Sequence, residues 1–494
     1  MSTHWLRLPS MALRRALGTF ILSAVCGSVA AADAPTGRPR VIVTTDLSNE
    51  PDDEESLVRF LVYANEFDVE ALIASTSIHL KEGTREDLLH RDIDAYGAVV
   101  SNLSKHAPGY PAAESLHSVC RTGQTGYGMA FVGDGKGTPG SKRIIEVVDR
   151  ADDRPVWVCV WGGANTLAQA LWEVKATRPQ EEVDRFIGKL RVYTISDQDD
   201  AGYWIRPTFP SLFYICSPGG VGGNYWESTW SGISGDRLNK IGVMHRFEMV
   251  DNPWLKEHIH SKGPLGALYP PLAYLMEGDT PSFLGLINNG LGWHVRPDYG
   301  GWGGRYQEGT PYGEKRRLWT SGRDARDTVT SDDNGRTETS IHATVWRWRE
   351  HFQNDFSARM DWSITDDFKK ANHNPIAVLN GDKTKNVIEL SAKAGETVTL
   401  SAEGTSDPDG DAVGMRWWVY EEAGEWSLRT RSFSGDVKLT QDKGPVTSFV
   451  VPPLPTKGKP PVAQPASVHV ILEVRDAGAP NLWSYRRAII KATP

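Results

Sequence analysis

A run of β-branched residues, Arg40-Val41-Ile42-Val43-Thr44-Thr45, passes directly into the acidic stretch Asp46-Leu47-Ser48-Asn49-Glu50-Pro51-Asp52-Asp53. The run has no polar alternation, so it predicts a strand buried on both faces, as in parallel sheets covered by helices. In an open α/β sheet, ligands gather outside the carboxyl ends of the strands, and Asp46 stands at that end. From Glu54 to Ala64, apolar residues at 57, 58, 61 and 62 give a helical spacing that puts Asp52 and Asp53 in the first turn. The carboxylates of Asp46, Glu50, Asp52 and Asp53 are thus drawn towards one loop.

Such a cluster raises its own pKa values unless a cation or shared protons neutralise it. The loop offers oxygen donors and no His or Cys, which points to a hard divalent ion such as Ca²⁺. The helix dipole alone would account for Asp52 and Asp53, but not for Asp46 or Glu50.

Further β-rich runs at Val69 to Ser75, Val156 to Trp161 and Leu190 to Thr194 alternate with helical patterns at 84–104, 142–150 and 164–175. The expected first domain, 38–372, is therefore α/β, a mainly parallel sheet with flanking helices. Pro218 to Arg305, rich in Gly, Trp and Tyr, reads as loops decorating the sheet. After Asn372-His373-Asn374-Pro375 the pattern changes to short runs (Val387 to Leu390, Thr397 to Ser401, Arg416 to Tyr420, Thr447 to Val451, Val468 to Val474) separated by turn residues. This predicts a C-terminal all-β, immunoglobulin-like sandwich over 373–494. Trp417 and Trp418 are adjacent on a strand, so one should enter the core and the other be exposed or covered by the first domain. The turn Asp407-Pro408-Asp409-Gly410-Asp411 is not an EF-hand, because Trp418 stands at the twelfth position, where a bidentate Glu is needed.

Residues 1–32 have the layout of a secretory signal peptide, with Arg7, Arg14 and Arg15 ahead of the apolar stretch Ala16 to Ala30 and a small-residue cleavage site at Ala30 to Ala32. The mature chain is expected to be secreted or periplasmic and to lack a membrane anchor; Cys26 as a lipid-modified cysteine is the weaker alternative. Removing those three Arg from the formal net charge of −8 leaves −11, which argues against nucleic acid as a partner. Cys120, Cys159 and Cys216 remain, so at most one disulfide could form, and Cys159 reads as a small core residue.

Two later segments bear on the site. Val158-Cys159-Val160-Trp161-Gly162-Gly163-Ala164-Asn165 is a strand, a Gly-Gly turn and a helix start, and Met276-Glu277-Gly278-Asp279-Thr280-Pro281 is a loop with a second acid. In order and context, the acidic loop and these two segments resemble the inosine-uridine nucleoside hydrolase superfamily. They are more similar still to a secreted branch whose nucleoside-hydrolase-like domain is followed by a domain described as cellulose-binding. The resemblance implies Ca²⁺ held by Asp46, Asp53, the main-chain carbonyl of Trp161 and Asp279, with Asp46 and Asp52 as the catalytic carboxylates. It further implies substrate contacts from Asp52 and Asn165.

This chain departs from the family pattern. The opening Asp-x-Asp is Thr44-Thr45-Asp46, two extra residues precede Asp52-Asp53 so that the loop must bulge, and Gly278 stands where many members carry a base-protonating His. Where the family binds ribose through Glu and Asn, this chain has Asp197-Gln198-Asp199-Asp200-Ala201-Gly202-Tyr203-Trp204, and Asp199, Asp200 and Trp204 are the candidates for sugar contacts. The expected function is an exported calcium-dependent hydrolase of N- or O-glycosidic bonds acting on a carbohydrate glycoside, with Asp199, Asp200 and Glu50 ahead of His79 and His294 as the leaving-group acid. The alternative is a non-catalytic carbohydrate-binding protein. The oligomeric state is left open.

Overall fold

The computed structural model describes residues 37–48, 50–217, 227–235, 242–311, 314–322, 325–424, 433–454 and 466–494. The expected signal peptide, its cleavage site and Cys26 lie outside the described residues. No helix among those described is long and apolar enough to cross a membrane.

The first domain is built on an eight-stranded sheet of β1 (Arg40–Thr45), β2 (Asp68–Ala74), β3 (Cys120–Thr122), β4 (Val156–Val160), β5 (Leu190–Thr194), β6 (Phe213–Cys216), β7 (Gln307–Gly309) and β8 (Leu318–Thr320). Its order is β3-β2-β1-β4-β5-β6-β8-β7, and every pairing is parallel except β7 with β8 at the edge. The main crossover helices are α1 (Asp52–Val62), α2 (Glu86–Gly97), α3 (Pro139–Asp149), α4 (Asn165–Thr177) and α5 (Ala201–Thr208). β1 shows why its sequence lacks alternation: Val41 and Val43 pack with Leu57, Val58 and Leu61 of α1, while Ile42 packs with Ile144 of α3 and Leu167 of α4 on the other face. Both faces are covered, so both must be apolar.

The strand order fixes the site. From β1 the chain runs outward to β2 and β3, then crosses back to β4 on the other side of β1. Connections leaving β1 and β4 diverge, which opens a crevice at their carboxyl ends, the place where such sheets bind ligands.

A hairpin, β9 (Asp327–Thr330) with β10 (Thr337–Ser340), precedes α6 (Arg349–Ser363), which packs on α1. The second domain has a four-stranded sheet, in which β11 (Ile388–Lys393), β13 (Gly414–Val419), β15 (Ala466–Arg475) and β16 (Trp483–Thr493) run in the order β11-β16-β15-β13. A pair, β12 (Thr397–Ser401) with β14 (Val446–Val450), faces it. Between them lies a core of Leu400, Trp417, Phe449, Val468, Val470, Leu472 and Ile490. Trp418 points the other way and is covered by the first domain, 6.0 Å from the Trp348 ring. Cys120, Cys159 and Cys216 are all buried free thiols.

Candidate metal centre and active site

Asp46 follows β1 at the mouth of the crevice and is buried. Its Oδ2 accepts a hydrogen bond from the Ser77 hydroxyl, held in the loop after β2, and its Oδ1 has no protein partner. The β4 turn makes room for it: a Cβ on Gly162 would collide with Asp46 Oδ1, so only glycine lets the two chains approach this closely. In the loop expected to bulge, Ser48 lies in the left-handed region at φ 90°; Asn49 lies outside the described residues.

Asp52 and Asp53 open α1, and Asp279 comes from the loop before the short helix Pro281–Leu284. One carboxylate oxygen from each of the three lies within 4.8 Å of the others. Asp53 Oδ1 accepts from the Thr45 hydroxyl, and Asp279 Oδ2 is buried with no protein partner. Burial drives all four acids towards their protonated forms, and mutual repulsion adds to it. Asp53 and Asp279 stand well above the usual carboxylate range, Asp46 is raised, and Asp52 is pushed up to about 7 by burial, Glu50 and Asp46. Carboxylates crowded together, two of them with orphaned buried oxygens, form a donor set that fits a hard divalent cation of the Ca²⁺ type.

Behind the Asp279 loop lies a buried ionic network. Arg59 of α1 makes a two-pronged ion pair with Glu277, which also accepts from Tyr269 Oη at 2.7 Å and Thr280 Oγ1 at 2.8 Å. Glu277 has φ 53°, and its N–H donates to Glu55 Oε2 at 2.9 Å. These bonds fix the loop two residues before Asp279. Neither Glu55 nor Glu277 was singled out from the sequence, where each reads as an ordinary helix or loop acid.

The crevice opens into a cavity of about 180 Å³ lined by Glu50, Asp52, His79, Ile195, Gln198, Trp230, Tyr274 and Leu275. Gly278 faces it, and a Cβ there would stand 2.9 Å from Asp52 Oδ2 and 3.4 Å from the Trp230 ring. A His at 278 would therefore meet both.

Several expected site residues have other partners. The Trp161 carbonyl accepts from Gln198 Nε2 at 3.0 Å, so its nearest ligand is a side-chain amide. Asp199 is a structural clamp: Oδ2 accepts from Asn165 N at 3.0 Å and Oδ1 from Ala201 N at 2.9 Å, tying α4 to α5. Its burial raises it to about 7, but both oxygens are committed to backbone amides. Asp200 accepts from Met129 N at 2.7 Å, and Trp204 packs edge-on against Phe209. Asn165 donates to Gly126 O at 2.8 Å, while its buried Oδ1 has no protein partner. His294 is half-buried and outside the cavity lining, and desolvation pushes its imidazole down to about 4. Gln198 holds the position at the cavity that the sequence reading gave to Asp199.

Comparison with known proteins decides the family. Residues 40–306 match the family described as "Cellulose-binding Sde182, nucleoside hydrolase-like domain", and residues 397–492 match "Cellulose-binding protein Sde0182, C-terminal domain". The chain belongs to this family. A solved relative, a nucleoside hydrolase-related hypothetical protein from Saccharophagus degradans associated with carbohydrate metabolism, shares 38% identity at a TM-score of 0.77, covering 92% of this chain and 100% of its own. A plant nucleoside hydrolase, PpNRh1, also aligns, at 12% identity and a TM-score of 0.32 over 67% of this chain and 100% of its own. At that level it carries no weight here. No curated protein matches the chain.

Proposed function

We propose that this Sde182-family protein is an exported, Ca²⁺-dependent hydrolase that cleaves the glycosidic bond of a carbohydrate glycoside. The observation that carries this reading is the convergence of Asp52, Asp53 and Asp279, whose carboxylate oxygens lie within 4.8 Å of one another, with Asp46 close enough to raise all three and orphaned buried oxygens on Asp46 and Asp279, beside a sugar-sized cavity at the switch point of the sheet. The substrate class is supported by the family's cellulose-binding description and by the carbohydrate-associated relative.

When bound among these oxygens, Ca²⁺ would acidify a water and hold vicinal sugar hydroxyls. Asp52 lines the cavity, which places its carboxylate to take the proton of the attacking water. Asp46 has one oxygen fixed by Ser77, so its other oxygen is oriented in advance. Leaving-group protonation falls to Glu50 or His79, which line the cavity, because Asp199 and Asp200 are hydrogen-bonded to backbone amides and His294 is not in the cavity lining. Gly278 leaves no base-protonating side chain at this position, where a Cβ would stand 2.9 Å from Asp52 Oδ2, and this favours a glycoside over a nucleoside.

A second reading, binding without turnover, is favoured by Tyr274, an exposed aromatic on the cavity wall. The test is a panel of nucleosides, aryl glycosides and plant-wall oligosaccharides assayed with and without chelator. Chelator-sensitive release of sugar is the expected result. Efficient release of hypoxanthine from inosine would overturn the glycoside preference, and inertness on every member would leave the binding reading standing.

A further inference from the structure

The exposed aromatic side chains of this molecule are unevenly distributed. Among the described residues, four Phe and Tyr side chains are exposed: Phe131 at 44%, Tyr203 at 54%, Tyr274 at 58% and Phe368 at 36%. The first three stand at the carboxyl-terminal edge of the eight-stranded sheet, the face that carries the carboxylates. Phe131 closes a short helix, Met129–Phe131, beyond β3; Tyr203 is in the first turn of α5, beyond β5; Tyr274 lines the acidic cavity itself.

Hydrogen-bonded loops join these positions into one surface. Gln198 and His79 line the cavity, and Ile78 N donates to Gln198 O at 2.7 Å. Two residues further, Asp200 accepts from Met129 N at 2.7 Å. The Phe131 ring lies against Gly126, whose carbonyl accepts from Asn165 Nδ2 at the start of α4. The Arg206 guanidinium packs 5.1 Å from the centre of the Tyr203 ring, and Lys81 stands 5.6 Å from that of the neighbouring Tyr127.

Rings seated in this way offer large contact area at low entropic cost, and the tyrosines add a hydroxyl at the ring edge. Asp200 and Lys81 are exposed among the aromatics, so the face is not the contiguous apolar patch that a protein partner would cover. The chemistry that fits is a chain of pyranose rings, apolar on their C–H faces and hydroxyl-rich at their edges.

We propose that Phe131, Tyr127, Tyr203 and Tyr274 form an extended glycan-binding platform that leads a polysaccharide chain across the carboxyl-terminal face into the acidic cavity. The proposal rests on the glycoside reading for its direction, but binding needs no turnover. Its test is therefore an affinity measurement on the full chain in chelator, using soluble cello-oligosaccharides of two lengths and depletion on insoluble cellulose. Variants are Tyr203→Ala, Phe131→Ala, Tyr274→Ala and the triple substitution, with Ile376→Ala, an exposed residue of the second domain, as control; circular dichroism confirms that each is folded.

Each aromatic loss is expected to weaken binding of the long chain by about fivefold. Tyr274→Ala is expected to weaken the short chain as well, while Tyr203→Ala and Phe131→Ala spare it. Failure of the wild-type chain to bind, or a triple variant that binds like wild type, would overturn the proposal. Because no product is measured, an inactive enzyme leaves this outcome unchanged, and a platform that fails leaves the hydrolase assay to stand alone.

Discussion

Asp279 shows how the site trades stability for chemistry at the scale of one residue. It is buried, one oxygen has no protein partner, and Asp53, Asp52 and Asp46 all raise its pKa after burial itself. Replacing it with Asn keeps the volume and removes a charge from the cluster. In chelator, Asp279→Asn is therefore predicted to melt above wild type by about 2 °C. Added Ca²⁺ is predicted to raise the wild-type melting temperature and leave the variant where it is. Thermal scans of the two proteins in both conditions check this, and a variant less stable than wild type in chelator would contradict it. The acids themselves were legible in the sequence, because Asp46 ends a β-branched run and Asp52-Asp53 open an amphipathic helix. Gln198 and Ser77 were not, since an amide and a hydroxyl carry no signal until the fold brings the loops after β2, β4 and β5 together. For the same reason the backbone bonds of Asp199 were not legible: adjacent acids in a turn do not reveal which one a helix terminus will claim.

Between elements, the decisive contact is α1 against the loop carrying Asp279. Arg59 and Glu277 are both fully buried, and the guanidinium also stacks 4.0 Å from the Phe356 ring centre and donates to Phe352 O in α6. Removing one partner of a buried ion pair strands the other, which typically costs about 3–5 kcal/mol. Arg59→Met is predicted to lose stability on that scale in a denaturant melt, and Arg59→Met with Glu277→Gln to recover part of it; equal losses in the single and double variants would show that the pair does not hold the loop. The parallel strands and their crossover helices were readable because burial on both faces leaves continuous apolar runs. β16 was missed in the sequence. Its centre carries Arg486 and Arg487, which look like solvated residues, yet both are buried, and Arg487 donates to Leu291 O at 2.7 Å and Tyr299 O at 2.8 Å across the domain boundary. Tertiary partners overrode a pattern that local sequence reading depends on.

At the scale of the whole molecule, the two domains meet where Trp348 packs with Trp418, Tyr420 and Tyr485 and where Arg487 donates to backbone carbonyls of the first domain. The pH dependence follows from the direction of the carboxylate shifts. Asp46, Asp52, Asp53 and Asp279 all have folded-state pKa values above the unfolded value of 3.8, with Asp52 at about 7. The native chain thus binds more protons than the unfolded one, and without cation its stability falls as pH rises from about 4 towards 7. Stabilisation by Ca²⁺ is predicted to be larger at pH 7.5 than at pH 5, which thermal melts across that range would read; a stabilisation that shrinks with rising pH would refute the linkage. The central claim is that these carboxylates form a cation site, and calorimetric titration of the chelator-treated full chain with CaCl₂, alongside Asp279→Asn, tests it most directly. The expected result is one Ca²⁺ bound per chain with a Kd below about 1 mM, and binding weakened by about two orders of magnitude or abolished in the variant. No binding by the wild type at that concentration, or equal binding by both proteins, would contradict it.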